Sequence, residues 1–599
     1  MKNSFYLSIF FLIIACTSCK KDFLNRDPQT AIAPGQFFKT EQDLSLYING
    51  MLAIPGTDSY ISSGEQGSDN CATTGNVEIK TVLEGTPTDQ TITSGWGYGD
   101  WAGLRNANYF LDNCNGAAVS QTVKNHYIGL AKYYRAIFYF EKVKRYSDVP
   151  WFGQALGSTD TALFRARDPR SLIMDSIVAD LDFASANVRV DVPKGTPNVW
   201  AVKLMYARIM LYEGTYRKYH PELGLQNTAN NFLQKAHDVA ADIMTAGFTI
   251  YNTGNPASDY ATLFSSQDLS SNNEVILANI YDVNLKKDGG LNGYLFGDYE
   301  QCPSANLVQS YLMDNGTRFT DIPGYQTYSF VQEFKNRDPR MKQTLVYPGW
   351  IPEPTTTAYI QKLNKNFTGY HQLKGYINST DNTVIGSVDY PAYRYAEALL
   401  IYAESLAELG LLTQGDLDKS INLLRQRAGM PSLLLDAANA NSDPVMGANF
   451  PDVSGTNKGV ILEIRRERRV EFAFENFRFD DVMRWHAGSL LIAQPEGMYF
   501  PKLGKYDLTG DGVEDIILID AATDIPATKE VNGLGVTLEY YKAGNFGDDV
   551  TVYLKNGNNG GRIVTSQTVR TFTDPKFYTR PIPQQQMLLN PNLKQIFGW

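Results

Sequence analysis

Between residues 101 and 250 apolar side chains return every three to four positions, the spacing that lines one face of an α-helix. In "KNHYIGLAKYYRAIFYFEKVKRYSDVPWFG" the residues Leu130, Tyr133, Tyr134, Ile137, Phe138 and Phe140 form a broad apolar face, and the helix stops near "SDVP". "WAGLRNANYFLDNC" reads as a helix before it, and "DPRSLIMDSIVADLDFASANV", "NVWAVKLMYARIMLYEGTYRKY" and "NFLQKAHDVAADIMTAGF" as helices after it. Small residues such as Ala207, Ala236 and Ala240 stand among the large ones, as helix pairs stacked in a tetratricopeptide-like array require. Upstream, "FFKTEQDLSLYINGMLA" predicts a helix with Thr40 as N-cap and Asp43 in its first turn. Residues 52 to 95, rich in Gly, Ser, Thr and Asn, read as loop.

The second half is patterned differently. Residues 253–390 alternate Gly, Pro, Asn and Tyr irregularly, apart from a helical stretch in "SANLVQSYLMDNG". Strong helices return in "YPAYRYAEALLIYAESLAELG", "DLDKSINLLRQRAGMP" and "VILEIRRERRVEFAFENFRFDDVMRWHAG", and residues 500–580 go back to strand-like, Gly-rich text. In the last of these helices Glu463, Glu467, Glu471 and Glu475 recur every four residues among Arg465, Arg466, Arg468, Arg469 and Arg478. That spacing stacks opposite charges on one helix. Carboxylates flanked by arginines have depressed pKa values and make poor general acids, so the pattern predicts an ion-pair scaffold. Glu397, Glu404 and Glu408 are read the same way, as partners across helices.

Composition narrows the class. The chain has 599 residues, 43% hydrophobic and 20% charged, with a net charge of -10 and no basic block, which argues against nucleic acid as a partner. Phe5 to Ala15 is an apolar run of signal-peptide length, shorter than the roughly 20 residues of a spanning helix. Small residues lead from it into Cys16 and Cys19, as in a bacterial lipobox, and either cysteine is a candidate for acylation. The two or three chains of a lipoprotein cysteine make a lasting anchor. Cys71, Cys114 and Cys302 are scattered and odd in number, which implies neither a disulfide framework nor a zinc site. The five histidines are equally dispersed.

The chain has 36 tyrosines and 30 phenylalanines, and tyrosines and asparagines crowd the segments read as loops. Flat rings stack on the apolar faces of sugars while amides and hydroxyls bond their edges. On that chemistry the glycan-contacting candidates are Trp96 and Tyr98 in "TSGWGYGDW", Tyr294 and Tyr299 in "GGLNGYLFGDYEQ", Trp350 in "VYPGW", and Asp69, Asn70 and Arg105 for hydroxyl contacts. "YDLTGDGVEDIILI" offers Asp507, Thr509, Asp511, the Val513 carbonyl and Asp515 as oxygen ligands for a structural calcium ion, although Leu518 stands where an EF-hand has glutamate. A glycoside hydrolase needs two carboxylates at a set separation, and no spacing here nominates a pair.

Four separated stretches, "CKKDFLNRDPQT", "YPAYRYAEALLIYAESLAELG", "ILEIRRERRVEFAFENFRFDDVMRW" and "PIPQQQMLLNPNLKQIFGW", together resemble the SusD/RagB family of outer-membrane lipoproteins of the Bacteroidota. The resemblance implies a mostly α fold built on tetratricopeptide-type helix pairs, with long irregular loops and minor β elements. Residues 1–18 would be the signal peptide, 19–265 an N-terminal helical-repeat region and 266–599 a C-terminal region, intertwined in one body. Cys19 is favoured for lipidation because it stands at the family's spacing from "DFL". The implied role is a non-enzymatic, cell-surface, lipid-anchored binding protein. It would capture oligosaccharides for a SusC-like TonB-dependent β-barrel transporter, with no required cofactor. The alternatives are a RagB-like capturer of oligopeptides and a surface glycoside hydrolase.

Overall fold

The computed structural model describes residues 37–51, 63–296 and 301–599, so Cys16, Cys19 and Tyr299 lie outside the described residues. Helix α1 (Glu41–Asn49) opens on a reciprocal cap: the Thr40 hydroxyl accepts from the Asp43 amide at 3.3 Å and the Asp43 carboxylate accepts from the Thr40 amide at 2.8 Å. The loop expected over 52–95 contains a short helix, Glu78–Glu84. Ile79, Val82 and Leu83 give it a buried face, too brief a period to stand out among polar neighbours.

Five helices follow: α2 (Ala102–Asn113), α3 (Gln121–Tyr146), α4 (Arg170–Asn187), α5 (Val199–Tyr219) and α6 (Ala229–Met244). α3 packs on α4 and α5 on α6, and α6 in turn meets α7 (Tyr395–Leu409), so the stack draws in a helix from the second half of the chain. Small residues set the closest approaches. A Cβ on Gly129 would stand 2.9 Å from Val188, and one on Gly214 would stand 2.8 Å from the Leu233 side chain and 3.0 Å from its amide nitrogen. Ala207, Ala236 and Ala240 are fully buried in the same core.

Helix α7 starts later than its sequence suggests. Tyr390–Arg394 is instead strand β2, paired antiparallel with β1 (Val275–Asn279). Pro391 explains the switch, because it lacks a donor and pushes the residue before it out of the helical region. "DLDKSINLLRQR" likewise divides into Gln414–Asp418 and Ile421–Arg427. The arginine-rich run also breaks in two: α8 (Lys458–Glu471) and α9 (Arg478–Arg484) are joined by a turn in which Phe474 and Asn476 take left-handed φ values of 62° and 63°. Glu475 therefore falls beyond α8 and is not part of its charge ladder.

Helix α8 is buried from Gly459 to Glu471, charges included. Glu471 accepts from Arg427 Nη2 at 2.5 Å, Arg394 Nη1 at 2.6 Å and Arg340 Nη1 at 3.0 Å, and these guanidiniums hold it far below the usual carboxylate range despite its burial. Glu467 pairs with Arg340 and Arg425, and Glu475 with Arg394 and Lys374. Glu404 of α7 accepts from Arg484 Nη1 at 2.5 Å and from the Trp485 indole at 2.8 Å. These carboxylates form a scaffold, as their spacing suggested.

The strands of the C-terminal part are β3 (Glu496–Phe500), β4 (Gly504–Tyr506), β5 (Ile516–Asp520), β6 (Glu539–Gly544), β7 (Val552–Tyr553) and β8 (Gly561–Val564). β4 to β7 form one sheet in that order, with β4 antiparallel to β5 and the other neighbours parallel, while β3 pairs with β8. Ile516 and Leu518 point into a second core with Tyr541 and Ala543. The chain then returns to the helices. The Arg580 amide donates to the Arg145 carbonyl of α3 at 2.7 Å, Arg167 donates to the Lys594 carbonyl at 2.8 Å, and Ile582 is fully buried. Of the described residues 44% are helical and 9% strand, a mostly α fold. Among the described residues no helix is long and apolar enough to cross a membrane.

Candidate functional site

Two clefts differ in what lines them. One, with room for about 270 Å³, lies between the 66–74 loop, the Glu78–Glu84 helix and the 491–570 segment. Its wall is polar and aliphatic, with Lys80, Gln494 and the Arg570–Glu84 pair at 2.9 Å, and carries no aromatic ring. The other, with room for about 610 Å³, opens between Phe296, Tyr359 and the face of the four-stranded sheet. That volume is in the range of roughly 300–1,000 Å³ typical of small-molecule sites, and half-buried rings form part of its wall.

Behind this wall Trp350, 7% exposed, is the hub of a ring cluster. Its centroid lies 5.6 Å from Phe296, 5.8 Å from Tyr359 and 5.5 Å from Tyr376. The Tyr359 amide donates to the Trp350 carbonyl at 2.8 Å, which fixes one ring against the other. His371 closes the cluster from below, 3.9 Å from Phe296. Its Nε2–H donates to the Leu295 carbonyl at 2.8 Å, and burial lowers its pKa to about 4, so the imidazole is neutral at physiological pH.

Across the cleft Lys362 Nζ stands 2.9 Å from Glu539 Oε1 and Lys529 Nζ 3.4 Å from Oε2. The hydrogen bond from Lys362 holds Glu539 below the usual carboxylate range, so its carboxylate is charged at neutral pH. Asn364 and Thr551 are exposed at the rim. Rings on one side and amide, hydroxyl and charge on the other can bind a ligand with both an apolar face and hydroxylated edges.

The sequence candidates divide. Tyr294, 60% exposed, lies on the helix Asn292–Phe296, whose last residue joins the Trp350 cluster; two stretches chosen separately thus meet in space. Trp350 supports the rings and does not itself offer a face, which corrects its expected role. Trp96 is also corrected. It is 6% exposed and packs edge-on against Trp101 at 5.3 Å and Tyr146 at 4.8 Å, so it is core, and Tyr98, 90% exposed, stands without it.

Asp69 and Asn70 are buried as well. Asp69 accepts from Arg478 at 2.6 and 2.8 Å, and Asn70 Oδ1 accepts from Arg469 at 2.7 Å; a buried carboxylate needs such partners, and a ligand cannot share them. Arg105 is exposed and donates to the Leu156 carbonyl at 2.5 Å. Sequence reasoning missed Tyr359 and Tyr376, whose segment "AYIQKLNKNFTGYHQLKGY" gave only irregular tyrosines as a signal.

The acidic loop is closed on itself. Asp507 accepts from the Gly510 and Gly512 amides, Asp511 from Val513, and Asp515 from Leu508 and Thr509. Among the described residues Asp507, Asp511 and Asp515 do not form a group of three with one oxygen each within 4.8 Å of the others.

A model of the SusD family matches residues 264–599, more than half of the chain. The chain belongs to the SusD family. SusD-like protein P25 of Formosa agariphila is 23% identical over 523 residues, covering 81% of this chain and 90% of its own length. SusD-like protein P2 of the same organism is 24% identical over 531 residues, with 82% and 92% covered. Among solved structures, a SusD-like carbohydrate binding protein of Bacteroides fragilis superposes with a TM-score of 0.66 at 23% identity, covering 93% of this chain and 100% of that one. A SusD-like protein of the same species gives 0.65 at 20%, covering 96% and 100%. At these identities the structural likeness speaks for the fold. Of the four family-like stretches, the three within the described residues fall on the buried charge network and on the returning C-terminal segment, so they mark the scaffold and not the cleft.

Proposed function

We propose that this SusD-family chain is a non-enzymatic glycan-binding protein whose ligand occupies the ring-walled cleft at Phe296 and Tyr359. The observation that carries the reading is the cleft itself: about 610 Å³, half-buried rings on one wall and the Lys362–Glu539–Lys529 trio with Asn364 and Thr551 on the other. The carbohydrate-binding description of the Bacteroides fragilis relative supports the ligand class. In this reading Cys19 carries the lipid anchor at the cell surface, and the oligosaccharide passes to a SusC-like TonB-dependent transporter.

The test is affinity electrophoresis of the soluble protein against a panel of plant, fungal and host polysaccharides, with Tyr359→Ala and Trp96→Ala run alongside. The expected result is retardation by one glycan class, weakened about tenfold or more in Tyr359→Ala, in line with the loss of a stacked ring, and unchanged in a folded Trp96→Ala. Equal retardation of Tyr359→Ala and the unaltered protein removes the cleft from the proposal. Binding to oligopeptides and to no glycan favours the RagB-like alternative.

A further inference from the structure

Away from the cleft, His220 follows α5, His486 follows α9, and Asp574 lies on the segment that returns to the helices. His220 Nδ1, a Glu222 carboxylate oxygen and a ring nitrogen of His486 come within 4.8 Å of one another, the group of three with that property among the described residues. Each imidazole has one nitrogen committed elsewhere. His220 Nε2 stands 2.8 Å from the Met483 carbonyl, which only accepts, so Nε2 carries the proton. In the neutral ring Nδ1 is then a lone pair, yet it faces Glu222 Oε1, another acceptor, at 2.8 Å.

His486 repeats the pattern. In the neutral ring, with Nδ1 bonded to Asp452 at 2.9 Å, Nε2 is the lone pair. Nε2 is shielded from solvent, stands 3.0 Å from Asp574 Oδ2, and makes no aligned hydrogen bond among the described residues. Two lone pairs therefore meet two carboxylates, an arrangement that repels itself until something positive sits in it.

The His220 ring is fully buried, stacked 3.7 Å from Tyr216 and edged by Tyr578 at 4.5 Å. We propose that His220, Glu222 and His486, with Asp574 at their edge, bind a divalent transition-metal cation of the zinc class. Two imidazoles and a carboxylate are the donor set such ions prefer over calcium or magnesium. The outer contacts also fit. The Met483 carbonyl on His220 and the Asp452 carboxylate on His486 each engage one ring nitrogen and leave the other for an ion, the usual second layer of a histidine–metal site. Glu222 and His486 side chains are each 17% exposed, which leaves a path for entry. The bound ion would clamp three segments distant in sequence, at residues 220–222, 486 and 574.

The test uses the full chain purified without a histidine tag and stripped with EDTA. Titration with CoCl₂ is expected to saturate at one equivalent with visible d–d absorption, and ZnCl₂ to displace it. Glu222→Gln, which preserves shape and leaves the buried ring in place, is expected to weaken Co²⁺ binding about tenfold to a hundredfold. ZnCl₂ is also expected to raise the Tm of the unaltered chain and not that of Glu222→Gln. Absence of the absorption, as when the trio holds a proton, or its full retention in Glu222→Gln, overturns the assignment.

Discussion

The helix stack and the arginine-rich region are held together by contrasting means. In α3 to α6 the contact is mostly apolar, apart from the buried pairs of Arg135 with Asp180 and of Arg170 and Arg217 with Glu213, and its closest points are glycines and alanines that let backbones approach. Around α8 the contact is ionic: Glu467, Glu471 and Glu475 are inside the protein and survive there because arginines or lysine surround them. Apolar packing degrades gradually as side chains change volume. A buried ion network fails abruptly, because removing one member strands the others without water.

Glu471→Ala tests the contrast most severely. It leaves Arg427, Arg394 and Arg340 each short of a partner, and the expected loss is about 3–5 kcal/mol, read as a collapse of the urea midpoint. Next is Glu65, on the loop that docks against α8 and α9. Burial raises its pKa to about 7 although Ser68 and Asn70 bond it. A raised carboxylate favours the protonated fold, so its contribution is intact below the ordinary value of 4.5 and is lost as pH climbs through about 7. Glu65→Gln should therefore gain on the unaltered protein by about 3 kcal/mol between those limits, at about 1.4 kcal/mol per unit, seen as diverging Tm-against-pH curves. A constant gap across that range would place the ionised group in a better-solvated setting.

Gly214→Ala is the mildest. Overpacking against Leu233 costs about 1–3 kcal/mol, and the better helix propensity of alanine returns up to about 1, leaving a net loss of about 1 kcal/mol. A net gain would show that α5 and α6 can separate freely.

The same contrast explains what could be read in the sequence. Helices α1 to α6 were legible because their burial is periodic in hydrophobicity, and Thr40 marks a boundary through local chemistry, whereas the boundary set by Pro391 was passed over. α8 was legible only as a charge pattern; its end was not, since the left-handed Phe474 and Asn476 are held by contacts from elsewhere. The cleft was half legible. Tyr294 and Trp350 came from the right stretches, but Tyr359 and Tyr376 reach them through folding of an irregular segment. Trp96, Asp69 and Asn70 misled because glycines and loop composition mark a flexible stretch equally well whether its side chains face solvent or the core. The His220–Glu222–His486 trio had no sequence signal, because His486 lies hundreds of residues from His220 and Glu222.

Ile582 and Arg580 seal a face of α3 that is synthesised more than four hundred residues earlier. At a ribosomal pace of about 5–20 residues per second, that face waits on the order of half a minute for its cover. A chain built this way stays open to chaperones and export factors until its closing segment arrives, and it becomes hard to unfold only once handling is over.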